Sequence, residues 1–433
     1  MFMKIDKRLF ISLTLLILAL SSNVYATNGY WSYGYGAQSK SMAGACVAMT
    51  LGSMCAASNP ASMVHVGNRL DYGLSYFVPK RGFTANNDAS PNPPPPSIPT
   101  GTYESANDWF LIPHFGYNYM LDENSAIGIT IGGNGGMNTE YSGAIFTNFR
   151  TPNVPSSQAS SPTGIDLKQM FIGVTYSRKI NERHSLGITP IFAIQSFEAQ
   201  GLQPFKTFSL HPNYVTNNGT DYSYGGGVRI GWLGKVTDWL TLGASYQSKM
   251  WMSNFDDYKG LLAEEGDFDI PPNYDIGFAI KATPAVTLAF DYQRIEFSQV
   301  KAVSNNSDLA FTGTEPLLGT SDGLGFGWED MNILKFGVQW VYSADITFRF
   351  GYSQANQAFP NSQALFNVLA PAVIRKHYTF GFTRPITKDI DFNVAFMYAP
   401  NEKIHGTNPN TGSQTGFVEM EQYEIAISWG VKL

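Results

Sequence analysis

The sequence is poor in charge. Of its 433 residues only 14% are Asp, Glu, Lys or Arg, where a soluble domain carries about 25%. That shortage speaks against an ordinary soluble enzyme. The small charge present is not basic either. Lys and Arg number 28 against 34 Asp and Glu, a formal net charge of −6. A nucleic-acid partner is excluded on that ground. Cysteine is nearly missing, with only Cys46 and Cys55, and no histidine stands near them in a metal-binding spacing. The six histidines are scattered at His65, His114, His184, His211, His377 and His405 and form no nucleophile or metal pattern. The chain therefore reads as a non-enzyme with no cofactor and no metal. Beyond the N-terminus no run of apolar residues is long enough for a membrane-spanning helix.

What is present begins with an export signal. Lys4, Lys7 and Arg8 precede an apolar run from Leu9 to Leu20, and Val24-Tyr25-Ala26 offers a cleavage site. Residues 1–26 read as a signal peptide. Export to an oxidising compartment predicts a disulfide between Cys46 and Cys55.

From Arg69 onward the sequence alternates with period two. "IDFNVAFMY" places Ile390, Phe392, Val394, Phe396 and Tyr398 on one face and Asp391, Asn393, Ala395 and Met397 on the other. Such alternation predicts strands with one apolar face. Fourteen are expected, near 69–80, 109–120, 125–140, 165–180, 184–200, 221–236, 239–254, 270–282, 285–301, 330–343, 345–357, 374–386, 389–401 and 417–433. Their connections alternate strictly between short and long. Outer-membrane barrels have short periplasmic turns and long outer loops. The fold class is thus all-β: a fourteen-stranded antiparallel transmembrane β-barrel over residues 69–433 of a bacterial outer-membrane protein. Strand parity points Arg229, Lys249, Lys335, Arg349 and Arg375 inward.

Residues 27–68 have little charge and no strand period but are rich in Gly, Ala, Ser and Met. A barrel of this size is not filled by its wall side chains alone, so this segment is expected to be a hatch (a plug) within the lumen. The third strand carries "GGNGGMNTEY", where Gly132, Gly133, Gly135 and Gly136 flank Asn134. Glycine weakens a strand interior and marks a bulge or a sharp bend.

The segment "GYWSYGYGAQSKSMAGACVAMTLGSMCAASNPASM", with its starting Gly29-Tyr30, its Gly36–Ala45 stretch and its closing Asn59-Pro60-Ala61, resembles the hatch of the FadL/TodX family of outer-membrane transporters. "PPNYDIGFAIKATPAVTLAFDYQRIEFSQ" and "WEDMNILKFGVQWVYSADITFRFGYSQ" are similar to later parts of that family. The resemblance covers essentially the whole mature chain. It implies uptake of hydrophobic molecules, long-chain fatty acids or aromatic and aliphatic hydrocarbons. Their capture would be at outer loops such as 201–220, with Leu202, Phe205, Phe208 and Leu210. Their binding would be at the extreme N-terminus, here Thr27, Asn28, Gly29 and Tyr30 with Trp31 adjacent. Their release would be sideways into the membrane through a kink in the third strand at Gly132 to Gly136, with the hatch near Asn59, Pro60 and Ala61 lining the gap. Arg349, Arg375 and Lys249 are candidate cations for a carboxylate. The fatty-acid carriers place a basic residue at the outer end of the fifth strand. Here that stretch reads "AIQSFEAQG" and holds none, which leaves uncharged hydrocarbons open. The expected partners are the substrate and outer-membrane lipid, with the protein monomeric. A general porin for small polar solutes and a structural or adhesive barrel are the rival readings.

Overall fold

Residues that alternate between apolar and small or polar settle into pleated strands with one face toward lipid. The computed structural model describes residues 28–87, 97–149, 158–307, 316–408, 411 and 413–433; the signal segment and Thr27 lie outside the described residues. Fourteen long strands form the wall. They are β1 (Arg69–Asn86), β2 (Phe110–Asp122), β3 (Ser125–Tyr141), β4 (Thr163–Lys179), β5 (His184–Gln200), β6 (Asp221–Lys235) and β7 (Leu240–Gln247). β8 (Asn273–Lys281), β9 (Val286–Ile295), β10 (Met331–Ser343), β11 (Ile346–Ala355), β12 (Lys376–Pro385), β13 (Ile390–Thr407) and β14 (Thr415–Lys432) complete it. Each pairs antiparallel with the next. β14 pairs with β1 from Arg69↔Lys432 to Asn86↔Thr415, which closes the ring.

The two faces sort as the period-two pattern requires. Tyr72, Leu74 and Tyr76 of β1 and Tyr423, Ile425 and Trp429 of β14 are exposed on the outer face. Asp71, Ser75, Glu424 and Ser428, the alternate residues, are buried. No helix among the described residues is long and apolar enough to cross a membrane.

Strand ends depart from expectation in two ways. β1 and β13 run on to Asn86 and Thr407, because β14 supplies ladder partners along their whole length. β7 stops at Gln247 instead of continuing to 254. Met250 instead turns inward, where it is fully buried and bridges Ile270. Outside the fourteen, Gly101–Glu104 pairs with β1 and Trp251–Met252 with β6.

Residues 28–68 are mostly buried. They form a short helix, Gly36–Lys40, and two 3-10 turns, Ser53–Ala57 and Pro60–His65. Inward side chains from around the ring hold them. Lys40 pairs with Glu424 of β14 and donates to Ser75 of β1 at 3.1 Å. The Cys46 and Val47 amides donate to Asp291 of β9 at 2.7 and 2.9 Å. Ser53 N–H donates to Asp71 at 2.8 Å, and Asn118 of β2 donates to Met63 O at 3.0 Å. Wall glycines permit the close approach: a Cβ on Gly187 would stand 2.3 Å from Pro60 C, and one on Gly351 2.2 Å from Met42 C.

Candidate functional site

The ladder between β2 and β3 runs from Asp122↔Ser125 to His114↔Gly132 and then stops. β3 continues beyond it, with β4 as its one partner among the wall strands. There the register slips, with Gly133 opposite Met170 and Gly135 opposite Gln169. Asn134 is the extra residue of this bulge, and the strand bends at it. None of Gly132, Gly133, Gly135 and Gly136 has a positive φ. They are thus not needed for a left-handed turn.

Backbone groups left by the missing ladder must find other partners at membrane depth. Trp31 forms a bridge to Gly135: Ser32 N–H donates to Asn134 O at 2.8 Å, and Gly136 N–H donates to Tyr30 O at 3.2 Å. Further along, the Arg81 guanidinium donates from Nε to Asn138 O. Ala106 N–H donates to Glu140 O at 2.8 Å, and Glu140 N–H donates to Ser105 Oγ at 3.0 Å. The bulge residue is itself fixed. Tyr35 hydroxyl donates to Asn134 Oδ1 at 2.6 Å, Asn134 donates to Gln169 at 2.9 Å, Gln169 to Gln195 at 2.8 Å, and Gln195 to Phe268 O at 2.8 Å.

Beside this edge lies an aromatic cluster. The Tyr30 ring is 5.1 Å from Phe297, 5.8 Å from Trp328 and 6.1 Å from Phe268. Trp31 lies 6.2 Å from Phe171. Burial holds the Tyr30 hydroxyl well above its ordinary pKa, so the cluster stays uncharged. Gly29 has φ +65°, and a Cβ there would meet Phe297 at 2.7 Å. The side-chain amide of Asn28 is fully buried, with no hydrogen-bond partner among the described residues. A cavity of about 30 Å³ separates Trp328 and Gly29 from Phe77 and Arg81 of β1 and Gly136 and Met137 of β3. A second cavity, about 80 Å³, lies under the outer loops, lined by Phe146, Leu202, Phe205, Leu262, Phe326 and Phe366 among others. Phe326, 6.3 Å from Trp328, joins the two regions. Of the expected capture residues, Leu202 and Phe205 line this cavity, whereas Leu210 is exposed.

The expected site residues are thus partly brought together. Tyr30 and Trp31 meet Gly135 and Gly136 at the β3 edge, whereas Gly132 is still laddered to His114. Asn59, Pro60 and Ala61 do not line it, which corrects that expectation. They sit against β4, β5 and β6: Asn59 donates to Trp232 O at 2.9 Å, and Ser185 donates to Ala61 O at 2.8 Å. Arg349 points inward but toward the short-turn end, bonded to Gln339 and Thr383. Lys249 falls just past the early end of β7, and Arg375 just before β12, which starts later than expected. Lys249 pairs with Asp269 at 2.8 Å and Arg375 with Glu402. Cys46 and Cys55 are both free and buried, contrary to the expected disulfide. Cys46 is held as a thiol beside Ser39 Oγ at 3.2 Å, and Cys55 accepts from Leu51 N–H at 3.2 Å. The sequence reading missed Arg81, Asn134, Gln169, Phe297 and Trp328. Only Asn134 carried a signal, as the one polar residue within the glycine run.

The family model described as outer membrane protein transport protein (OMPP1/FadL/TodX) matches residues 31–429. No curated protein matches the chain. Among solved structures, the Pseudomonas putida toluene transporter TodX is similar with TM-score 0.69 at 19% identity, over 93% of this chain and 99% of that one. The Ralstonia pickettii toluene transporter TbuX gives TM-score 0.62 at 17% identity, over 93% and 99%. A Pseudomonas aeruginosa FadL homologue gives 0.66 at 14%, over 93% and 99%.

Proposed function

The chain belongs to the OMPP1/FadL/TodX family of outer membrane transport proteins, and from that premise we propose that it carries hydrophobic molecules inward and releases them sideways into the membrane between β2 and β3. The family is one of transporters for hydrophobic compounds, not of enzymes. Residues 27–68 act as the hatch that bars the axial route. Substrate is captured in the apolar cavity under the outer loops. It passes Phe326 and Trp328 and binds against Tyr30 and Trp31. It leaves past Gly135 and Gly136. The ring closes within one chain, so a monomer suffices.

One observation carries this reading. The edge of β3 from Asn134 to Glu140 is bonded to Tyr30, Ser32, Arg81 and the 105–106 stretch, and not to a continuous wall strand. Tyr30 and Ser32 belong to the N-terminal segment and Arg81 reaches the edge only through its side chain, so these bonds can release without breaking a wall ladder. The physics favours such an exit, because an acyl chain gains about 0.8 kcal/mol per CH₂ on entering hydrocarbon. A watery axial pore offers no such gain. The uncharged aromatic cluster suits a neutral hydrocarbon, such as the toluene named for TodX and TbuX, or the tail of a longer molecule.

The test is the double variant Gly135→Val, Gly136→Val. β-branched residues fit a pleated surface, so the barrel should still fold while the bend straightens and the exit narrows. Uptake of radiolabelled toluene per folded molecule should fall. Wild-type uptake would show that the glycines serve packing alone.

A further inference from the structure

The opening between β2 and β3 is framed by two ends and two margins. His114↔Gly132 closes it at one end. Ser105 and Ala106 close it at the other, bonded to Arg81 O at 2.9 Å and to Glu140. The near margin is where β1, still laddered to β14, has no partner on its β2 side, between Phe77↔Phe110 and Gly82↔Glu104. Arg81 sits at that margin with its side chain turned inward and buried. Its guanidinium donates to Asn138 O and, at 2.8 Å, to Asn138 Oδ1 on the far margin. It donates to Asn107 O at 2.6 Å in the interrupted stretch and to Pro79 O at 2.8 Å on its own strand. The guanidinium carbon lies 5.4 Å from the Phe110 ring centre, against β2. One side chain thus spans the window from β1 to β3 and rests against β2.

We propose that Arg81 is the bolt of this window, and that its guanidinium must release Asn138 before a substrate passes. The proposal rests on the lateral-release reading. Each bond involved is a charged donor on a neutral oxygen, stronger than an ordinary backbone bond, and the fork of donors spans acceptors that an ammonium cannot reach together. The bolt also discriminates. A molecule bearing an acceptor head group can take over the donors that Asn138 gives up, whereas a hydrocarbon offers nothing in exchange. Arg81 is therefore a specificity-determining residue: it resists alkanes more than their carboxylates.

The experiment measures uptake of radiolabelled dodecane and dodecanoate by cells, normalised to heat-modifiable barrel in the outer membrane. Arg81→Ala should raise dodecane uptake on the order of ten-fold, the equivalent of one charged hydrogen bond, and dodecanoate uptake by less. Arg81→Lys, which keeps charge without the fork, should fall between. Equal gains for both probes would overturn the discrimination, and unchanged uptake of both would overturn the bolt. A separate variant, Arg81→Cys, Asn138→Cys with Cys46→Ser and Cys55→Ser, is bridged with a short bis-maleimide. Bridging should abolish uptake of both probes. If the bridged protein still transports at the unbridged rate, the lateral route itself is wrong. If bridging blocks uptake while Arg81→Ala changes nothing, the route stands and the bolt alone fails.

Discussion

Replacing Lys40 with methionine should unseat the N-terminal segment while leaving the wall intact. Lys40 ends the helix Gly36–Lys40 and pairs with Glu424. The two side chains are only 6% and 3% exposed. It also donates to Ser75 and lies 5.4 Å over the Tyr33 ring. Methionine keeps the apolar stem but strands a buried carboxylate. Removing one partner of a buried pair costs about 3–5 kcal/mol. At about 1.4 kcal/mol per factor of ten, the balance between seated and unseated segment shifts roughly 10²- to 10⁴-fold. The strands do not depend on Lys40, so heat-modifiable mobility should stay normal. Conductance in planar bilayers and entry of small polar antibiotics should rise, and protease should cut within residues 28–68. Adding Glu424→Gln should reverse most of this, because no uncompensated charge then remains. A folded Lys40→Met barrel as tight and as protease-resistant as wild type would refute the reasoning.

Two further outcomes are expected. Oxidation with diamide should join the free, buried thiols of Cys46 and Cys55 and stabilise the segment by about 2–3 kcal/mol in the chain-entropy account; two thiols still alkylated after oxidation and denaturation would count against it. In the outer loop, Asp267 is raised to about 6, by burial first and then by Asp269, with Lys249 opposing and Glu264 adding. A raised carboxyl favours the folded state at low pH and loses that favour as pH climbs through about 6, so the 256–272 loop should resist protease better at about pH 5 than at about pH 7.5; Asp267→Asn should erase the difference.

The wall was legible in the sequence because lipid enforces a strict period of two. Tyr423, Ile425 and Trp429 could face only one way once Glu424 and Ser428 faced the other. Strand ends were not legible. Nothing in "SKMWM" says that Met250 leaves the wall to bridge Ile270, and Lys249 and Arg375 lost their expected strand positions with those ends. The glycine run did announce the bulge, and Tyr30 and Trp31 do meet it. Asn59-Pro60-Ala61 was misplaced because a motif tells what turn it makes, here an Asn-capped 3-10 turn, and not which wall the turn rests on. Arg81 was invisible for a related reason. It stood at the first residue of an expected loop, and only the long β1–β14 ladder carries it up to the window.

The central claim is that substrate leaves through the wall and not along the axis. Photolabelling with a diazirine-bearing alkane in intact outer membranes, followed by peptide mapping, tests it directly. Inward-facing adducts are expected at Phe326, Trp328, Tyr30 and Met137, ending at the β3 edge. None is expected at the short-turn end of the lumen, where Arg69 holds Asp71 at 2.9 Å and Asp391 at 2.7 Å. Adducts on Arg69, Asp71 or Asp391, with Met137 unlabelled, would mean that substrate travels straight through, and would contradict the claim.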